Sequence, residues 1–234
     1  MKAAFSKAEL EAEIASRFGD AFRIHEKAAV ETLSSGVAEI DALTGGLPRG
    51  AITEIFGPAS SGRTSLMYSL LTYATGHEET CALVDTNDVF APTAAIAAGM
   101  NFDRLLWVRC GGNLEHAFKA ADLLLHAGGF GLVMLDLGDV PGKEARQIIS
   151  SWWYRFRRTV EDRPTVLTVI SEEACTRSCA ALALELNGAA EWSRVSVKRG
   201  IGNLLRHNAI RVNRQRPVTR RVSEGRYSAM ALSV

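Results

Sequence analysis

Between an apolar run, Ala51 to Phe56, and a helix-like run, Ser65 to Ala74, stands Gly57-Pro58-Ala59-Ser60-Ser61-Gly62-Arg63-Thr64. The octet fits the phosphate-loop pattern G-x-x-x-x-G-K-[ST] at every fixed position except one, where Arg63 replaces the lysine. The pattern has a physical reason. Its glycines let the backbone turn tightly around an oxyanion, and successive N–H groups point inward at the positive end of the following helix. The basic side chain reaches β- and γ-phosphates, and the Thr64 hydroxyl can ligate Mg²⁺. Gly57, Pro58, Ala59, Ser60, Ser61, Gly62, Arg63, Thr64 and Ser65 are therefore the expected phosphate-contacting set, for ATP or ADP with Mg²⁺. A Gly/Ser-rich turn before a helix is the plainer alternative, but it does not require a strand in front.

The rest of the chain supplies that context. Apolar runs at Cys81–Asp85, Leu105–Arg109, Gly131–Asp136 and Thr165–Ser171 alternate with helical patterns at about Pro92–Ala98, Leu114–His126 and Lys143–Thr159. Continuous apolar strands between amphipathic helices predict an α/β fold with a mostly parallel sheet covered on both faces. After Trp192 short alternating runs at Arg194–Lys198, Ala209–Val212 and Tyr227–Leu232 predict antiparallel strands extending one edge. The expected division is an N-terminal arm over 1–30 and a nucleotide-binding core over 31–234. A hydrophobic content of 47% and a charged content of 23% suit a globular domain. No apolar run approaches the ~20 residues of a membrane helix, and no signal-like core opens the chain, so a cytoplasmic location is expected.

Asp136 ends an apolar strand later in the chain than the loop, where a second acidic element would hold Mg²⁺ through water beside Thr64; capping of the next turn is the other reading. Hydrolysis also needs a group that orients or deprotonates water. The C-terminal end of a neighbouring strand, Val84-Asp85-Thr86-Asn87-Asp88, offers Asp85 and Asp88 for that role or for strand-end capping.

At the N-terminus, Ser6-Lys7-Ala8-Glu9 reads as a capping box, and Leu10, Ile14 and Phe18 share one helix face up to Gly19. So short a helix needs a docking surface, on its own core or on a neighbouring subunit. The net charge of +1 conceals a polarity. Arg194 to Arg226 holds ten Lys/Arg and one Asp/Glu, and the remainder holds 17 basic and 25 acidic residues. That asymmetry suits an anionic partner. Arg214 and Arg216 fall on one side of a strand, as a phosphate contact at an interface, a DNA patch, or a solvated edge. Trp152-Trp153-Tyr154 with Phe156 reads as a buried helix face or a partner surface. Cys81, Cys110, Cys175 and Cys179 read as reduced thiols; Cys175 and Cys179, four apart, could share a helix face.

Over about residues 6–216 the chain resembles the RecA recombinase family. The carrying residues are Leu33-Ser34-Ser35-Gly36, Ile40-Asp41, Gly45-Gly46-Leu47-Pro48-Arg49-Gly50 and Ile52-Thr53-Glu54-Ile55-Phe56 running into Gly57–Thr64, with weaker traces at Val84-Asp85, Leu135-Asp136, Leu167–Ser171 and Ser16-Arg17-Phe18-Gly19. The resemblance implies a RecA-like core, an arm docked on the adjacent subunit, and Arg214 and Arg216 near a basic pair that reaches the neighbour's nucleotide. It also exposes departures. Asn87 stands at the family's catalytic glutamate, Arg63 at the loop lysine and Glu172 at the γ-phosphate-sensing glutamine. Glu173-Ala174-Cys175-Thr176-Arg177-Ser178 replaces the glycine-rich DNA loop and is expected to run into a helix. The pattern of loss is similar to the ImuA group of short RecA paralogues that accompany error-prone polymerases. It implies an ATP-binding adaptor in the SOS response to DNA damage, with weak or lost hydrolysis. Expected partners are a RecA-type recombinase, translesion polymerase factors, single-stranded DNA and further copies of itself, with no membrane. The alternatives are an active DNA-dependent ATPase of RecA type and, against the intact glycine loop, a cell-division inhibitor of SulA type.

Overall fold

The computed structural model describes Glu13, Ser16, residues 31–187, Ala190–Trp192, Leu205–His207 and Ile210–Gln215. The arm's capping box and apolar face, the predicted strands Arg194–Lys198 and Tyr227–Leu232, and Arg216 lie outside these residues.

Entry to the core is a short clamp. β1 (Thr32–Leu33) pairs antiparallel with β2 (Leu47–Pro48) around α1 (Ala38–Thr44). The Asp41 carboxylate closes it, accepting from Ser34 Oγ at 2.5 Å and the Ser35 N–H at 2.8 Å. Gly45, at φ 74°, ends α1 in the left-handed conformation that glycine adopts without penalty.

The chain then alternates as its pattern predicts: β3 (Ala51–Phe56), α2 (Arg63–Gly76), β4 (Cys81–Asp85), α3 (Pro92–Ala97), β5 (Leu105–Arg109), α4 (Leu114–Ala127), β6 (Leu132–Leu137), α5 (Gly142–Gln147), α6 (Ser150–Glu161), β7 (Val166–Ser171), β8 (Leu182–Leu186), β9 (Ala190–Trp192), β10 (Leu205–His207) and β11 (Ile210–Gln215). One seven-stranded sheet has the order β11-β8-β3-β7-β6-β4-β5. The six strands from β8 to β5 are parallel, and β11 adds antiparallel to β8. β9 and β10 form a separate antiparallel pair.

Every residue of β3, β4, β6 and β7 is buried, as expected when helices cover both sides. Period-two alternation sorts them into two cores. Ile55, Leu83 and Met134 pack toward Leu66, Met67, Leu70 and Leu71 of α2. Ile52, Val133, Leu135 and Val169 face Phe118 of α4 and Trp153 and Phe156 of α6. Phe118 stacks on Phe156 at 5.6 Å and meets the Trp153 ring edge-on at 5.1 Å. Trp153 and Phe156 are thus core. Trp152 is half-buried and lines a groove of about 370 Å³, and Tyr154 is exposed.

Three sequence expectations are corrected. The single helix expected over Lys143–Thr159 is two, broken where Ile148 and Ile149 adopt extended ψ values of 126° and 125°. β-branched residues accept extended backbone readily, and turning the chain there buries Ile148. Residues 173–178 form no helix, so Cys175 and Cys179 share no helix face; both are buried in loop. β8, absent from the sequence reading, is a full member of the parallel sheet.

Candidate phosphate-binding site

The parallel register brings the C-terminal ends of four strands to one edge. Phe56 pairs with Ser171, Ser171 with Leu137, and Asp136 with Asp85. β7 lies between the loop strand β3 and the Asp136 strand β6, so the two ends stand about 10 Å apart, two strand spacings. β4 neighbours β6, not β3, which sets Asp85 beyond Asp136 from the loop.

The loop leaves β3 at Gly57, which is buried against the end of β8: a Cβ there would lie 2.3 Å from the Leu186 carbonyl oxygen and 2.9 Å from Ser61 Oγ. The first glycine is therefore demanded by protein packing. Pro58, Ala59 and Ser60 are exposed, with Ser60 at φ 62° and Gly62 at φ 95°. Ser61 is buried and its hydroxyl has no hydrogen-bond partner among the described residues. The first turn of α2, entered from Gly62, presents backbone N–H groups to an oxyanion. Thr64 is exposed and Ser65 partly so, on the first turn of α2, and Leu66 N–H begins the helical bonding to the Gly62 carbonyl. These residues fit a phosphate chain.

Arg63 lies across the edge. Its Nη1 donates to the Gly138 carbonyl at 3.2 Å, and the Gly138 N–H donates to Asp136 Oδ1 at 2.8 Å. Burial pushes Asp136 up from 3.8 to about 6; the Gly138 bond opposes this, the charges of Asp85 and Asp139 reinforce it, and the Arg63 guanidinium holds it down. The expected Mg²⁺ position beside Thr64 and Asp136 thus meets an arrangement in which one carboxylate oxygen is turned into its own loop and an arginine is the nearby cation. These residues do not present an open carboxylate to a resident metal.

Asp85 is fully buried. Its Oδ1 accepts from Val89 N–H at 3.0 Å, and its Oδ2 from Phe90 N–H at 3.0 Å and Trp107 Nε1 at 3.1 Å. Asp88, at φ 59°, accepts from Arg109 Nη2 at 2.9 Å and Gly111 N–H at 3.2 Å. Both carboxylates hold the turns after β4 and β5 in place. Arg214 lies on β11 opposite Ala183, after a register shift that begins at Val212.

One functional feature escaped the sequence reading. Glu54, in the middle of β3 and 1% exposed, accepts from the Cys175 N–H at 2.6 Å, the Thr176 N–H at 2.8 Å and Thr176 Oγ1 at 2.7 Å. It pins the loop that, in the resemblance, replaces the family's glycine-rich DNA loop. A carboxylate inside an apolar strand was the available signal. Burial raises the Cys175 thiol and pushes Cys81 up to about 12, which keeps both protonated. Among the described residues no group of three or more His, Cys, Asp or Glu could hold a metal, and no helix is long and apolar enough to cross a membrane.

A parallel sheet with a glycine loop entering a helix after β3, an acidic strand end on β6 and a strand inserted between them defines a phosphate-loop α/β protein. The family model for the RecA N-terminal domain matches residues 7–144, over half of the chain, and the chain belongs to that family. Protein RecA of Deinococcus radiodurans is 38% identical over 112 residues, 47% of this chain and 31% of that protein. Protein RecA of Pseudomonas putida is 36% identical over 122 residues, 51% and 33% respectively, and that of Rickettsia bellii 36% over 109 residues, 46% and 32%. The matched stretch spans about a third of the length of these curated relatives.

Proposed function

We propose that this chain is a RecA-like ATP- or ADP-binding accessory protein of the DNA-damage response, acting as an adaptor in translesion mutagenesis rather than as an ATPase. One observation carries the reading. The two carboxylates that the sequence offers to activate water are committed elsewhere, Asp85 to three donors and Asp88 to two, and Asp136 Oδ1 is bonded into its own turn. Asn87, which cannot accept a proton, stands among them. Losing a general base typically lowers a rate by ~10²–10⁴. The phosphate cradle itself is intact, so binding is retained while turnover is not. The adaptor's partners in this reading are a RecA-type recombinase, translesion polymerase factors and single-stranded DNA, with Arg214 and Arg216 near the anionic contact.

The test is ATP turnover by the purified chain with and without single-stranded DNA. The expected rate is far below the ~1 s⁻¹ of an ordinary enzyme. Turnover above about 0.1 s⁻¹, abolished by Gly62→Val, overturns the adaptor reading in favour of a DNA-dependent ATPase.

A further inference from the structure

We infer that Arg63 performs the tethering task that a divalent cation performs in lysine-bearing loops, so that this chain holds its nucleotide without Mg²⁺. The inference rests on the nucleotide-binding reading above and concerns how that same site is filled.

In a lysine loop two cations share the work. The ammonium neutralises the outer phosphates, and Mg²⁺ joins those phosphates to the Thr hydroxyl and to the strand-end acid. The join spans the gap left by the intervening strand, about 10 Å here. In this chain the gap is already bridged by protein atoms. Arg63 starts at the first residue of α2 and reaches the Gly138 carbonyl at 3.2 Å, and Gly138 in turn bonds Asp136 at 2.8 Å. Loop, guanidinium, turn and strand-end acid form one chain of contacts.

The donor count of the guanidinium makes this more than a resting pose. Arginine carries five N–H donors in a planar fork, of which the Gly138 contact uses one. The others suit bidentate contact with phosphate oxygens while the Gly138 bond persists. A lysine ammonium is a compact point charge with three donors and lacks that planar fork. Asp136, for its part, is 8% exposed with Oδ1 already bonded, so it offers little to a hydrated ion. A divalent cation placed there would also lie beside a fixed like charge. The exposed Thr64 hydroxyl remains to donate directly to phosphate.

The experiment is a fluorescence titration of the full chain with N-methylanthraniloyl-ADP, in excess Mg²⁺ and in excess EDTA. Wild-type Kd should agree between the two buffers within about threefold, and Arg63→Lys should bind at least about tenfold more weakly in EDTA than in Mg²⁺. A wild-type loss of tenfold or more in EDTA overturns the inference and leaves nucleotide binding standing. Equal binding of Arg63→Lys in both buffers overturns the role given to Arg63. No binding in either buffer overturns the inference and the nucleotide-binding reading together. A second measurement needs only the wild-type chain: with saturating ADP, the Mn²⁺ electron paramagnetic resonance spectrum should match that of ADP alone. Stoichiometric immobilised Mn²⁺ on the protein would sink the idea whether or not Arg63→Lys folds.

Discussion

Among the described carboxylates, Asp136 is the one whose surroundings oppose its charge. Its folded-state pKa of about 6 lies above the ordinary 3.8, so the native chain binds this proton more tightly than the unfolded chain does. The resulting stability is fully present below about 3.8 and is lost as pH rises through about 6, a change of about 3 kcal/mol. Asp136→Asn should remove that slope. Urea unfolding should find the variant about 1–3 kcal/mol more stable than wild type near pH 7 and no more stable near pH 4. A variant less stable at neutral pH would mean that the Gly138 and Arg63 contacts outweigh desolvation.

At the scale of elements, the loop between β7 and β8 illustrates how one buried side chain decides a conformation. The sequence expectation has 173–178 running into a helix, yet Glu54 of β3 offers its two oxygens to two backbone N–H groups and a hydroxyl of that loop. Helix formation there would leave a buried carboxylate without partners, a far larger cost than the helix would return. Glu54→Ala should destabilise by about 3–5 kcal/mol, because it strands three donors and opens a cavity. Glu54→Gln should recover most of that loss, since the amide can accept from the two N–H groups and donate to Thr176 Oγ1. Chemical denaturation of the two variants checks the ordering. Equal losses would mean that charge, not donor satisfaction, holds the loop.

For the whole molecule, the Arg63 bridge joins the loop to the Asp136 turn, and so links two separate strand ends, those of β3 and β6, at one edge of the sheet. A ligand that fills this edge cross-links them. ADP at about 100 times its Kd should add about 2.7 kcal/mol to stability. For a domain of this size that raises Tm by about 5–10 °C in a thermal melt. Gly62→Val should abolish the shift, and an unshifted wild-type Tm would contradict binding at the loop.

Much of this architecture was legible along the chain. Strand and helix periods depend on which neighbours two or four residues away are apolar, so β3, β4, β5, β6 and β7 stand where the pattern puts them. The phosphate loop was legible for the same reason, since its glycines and hydroxyls act through local backbone geometry. Strand order, the insertion of β7 between the loop and Asp136, and the membership of β8 are relations between distant segments, and local pattern carries no record of them. So are the facts that matter most for function. Asp85 and Asp88 look alike in sequence as bases or caps, and only the positions of Phe90, Trp107 and Arg109 commit them to holding turns. Arg63 reads as a substituted lysine until β6 folds within reach and supplies the Gly138 carbonyl. A side chain's chemistry is set by its type, but its task is set by what the tertiary fold places within about 3 Å of it.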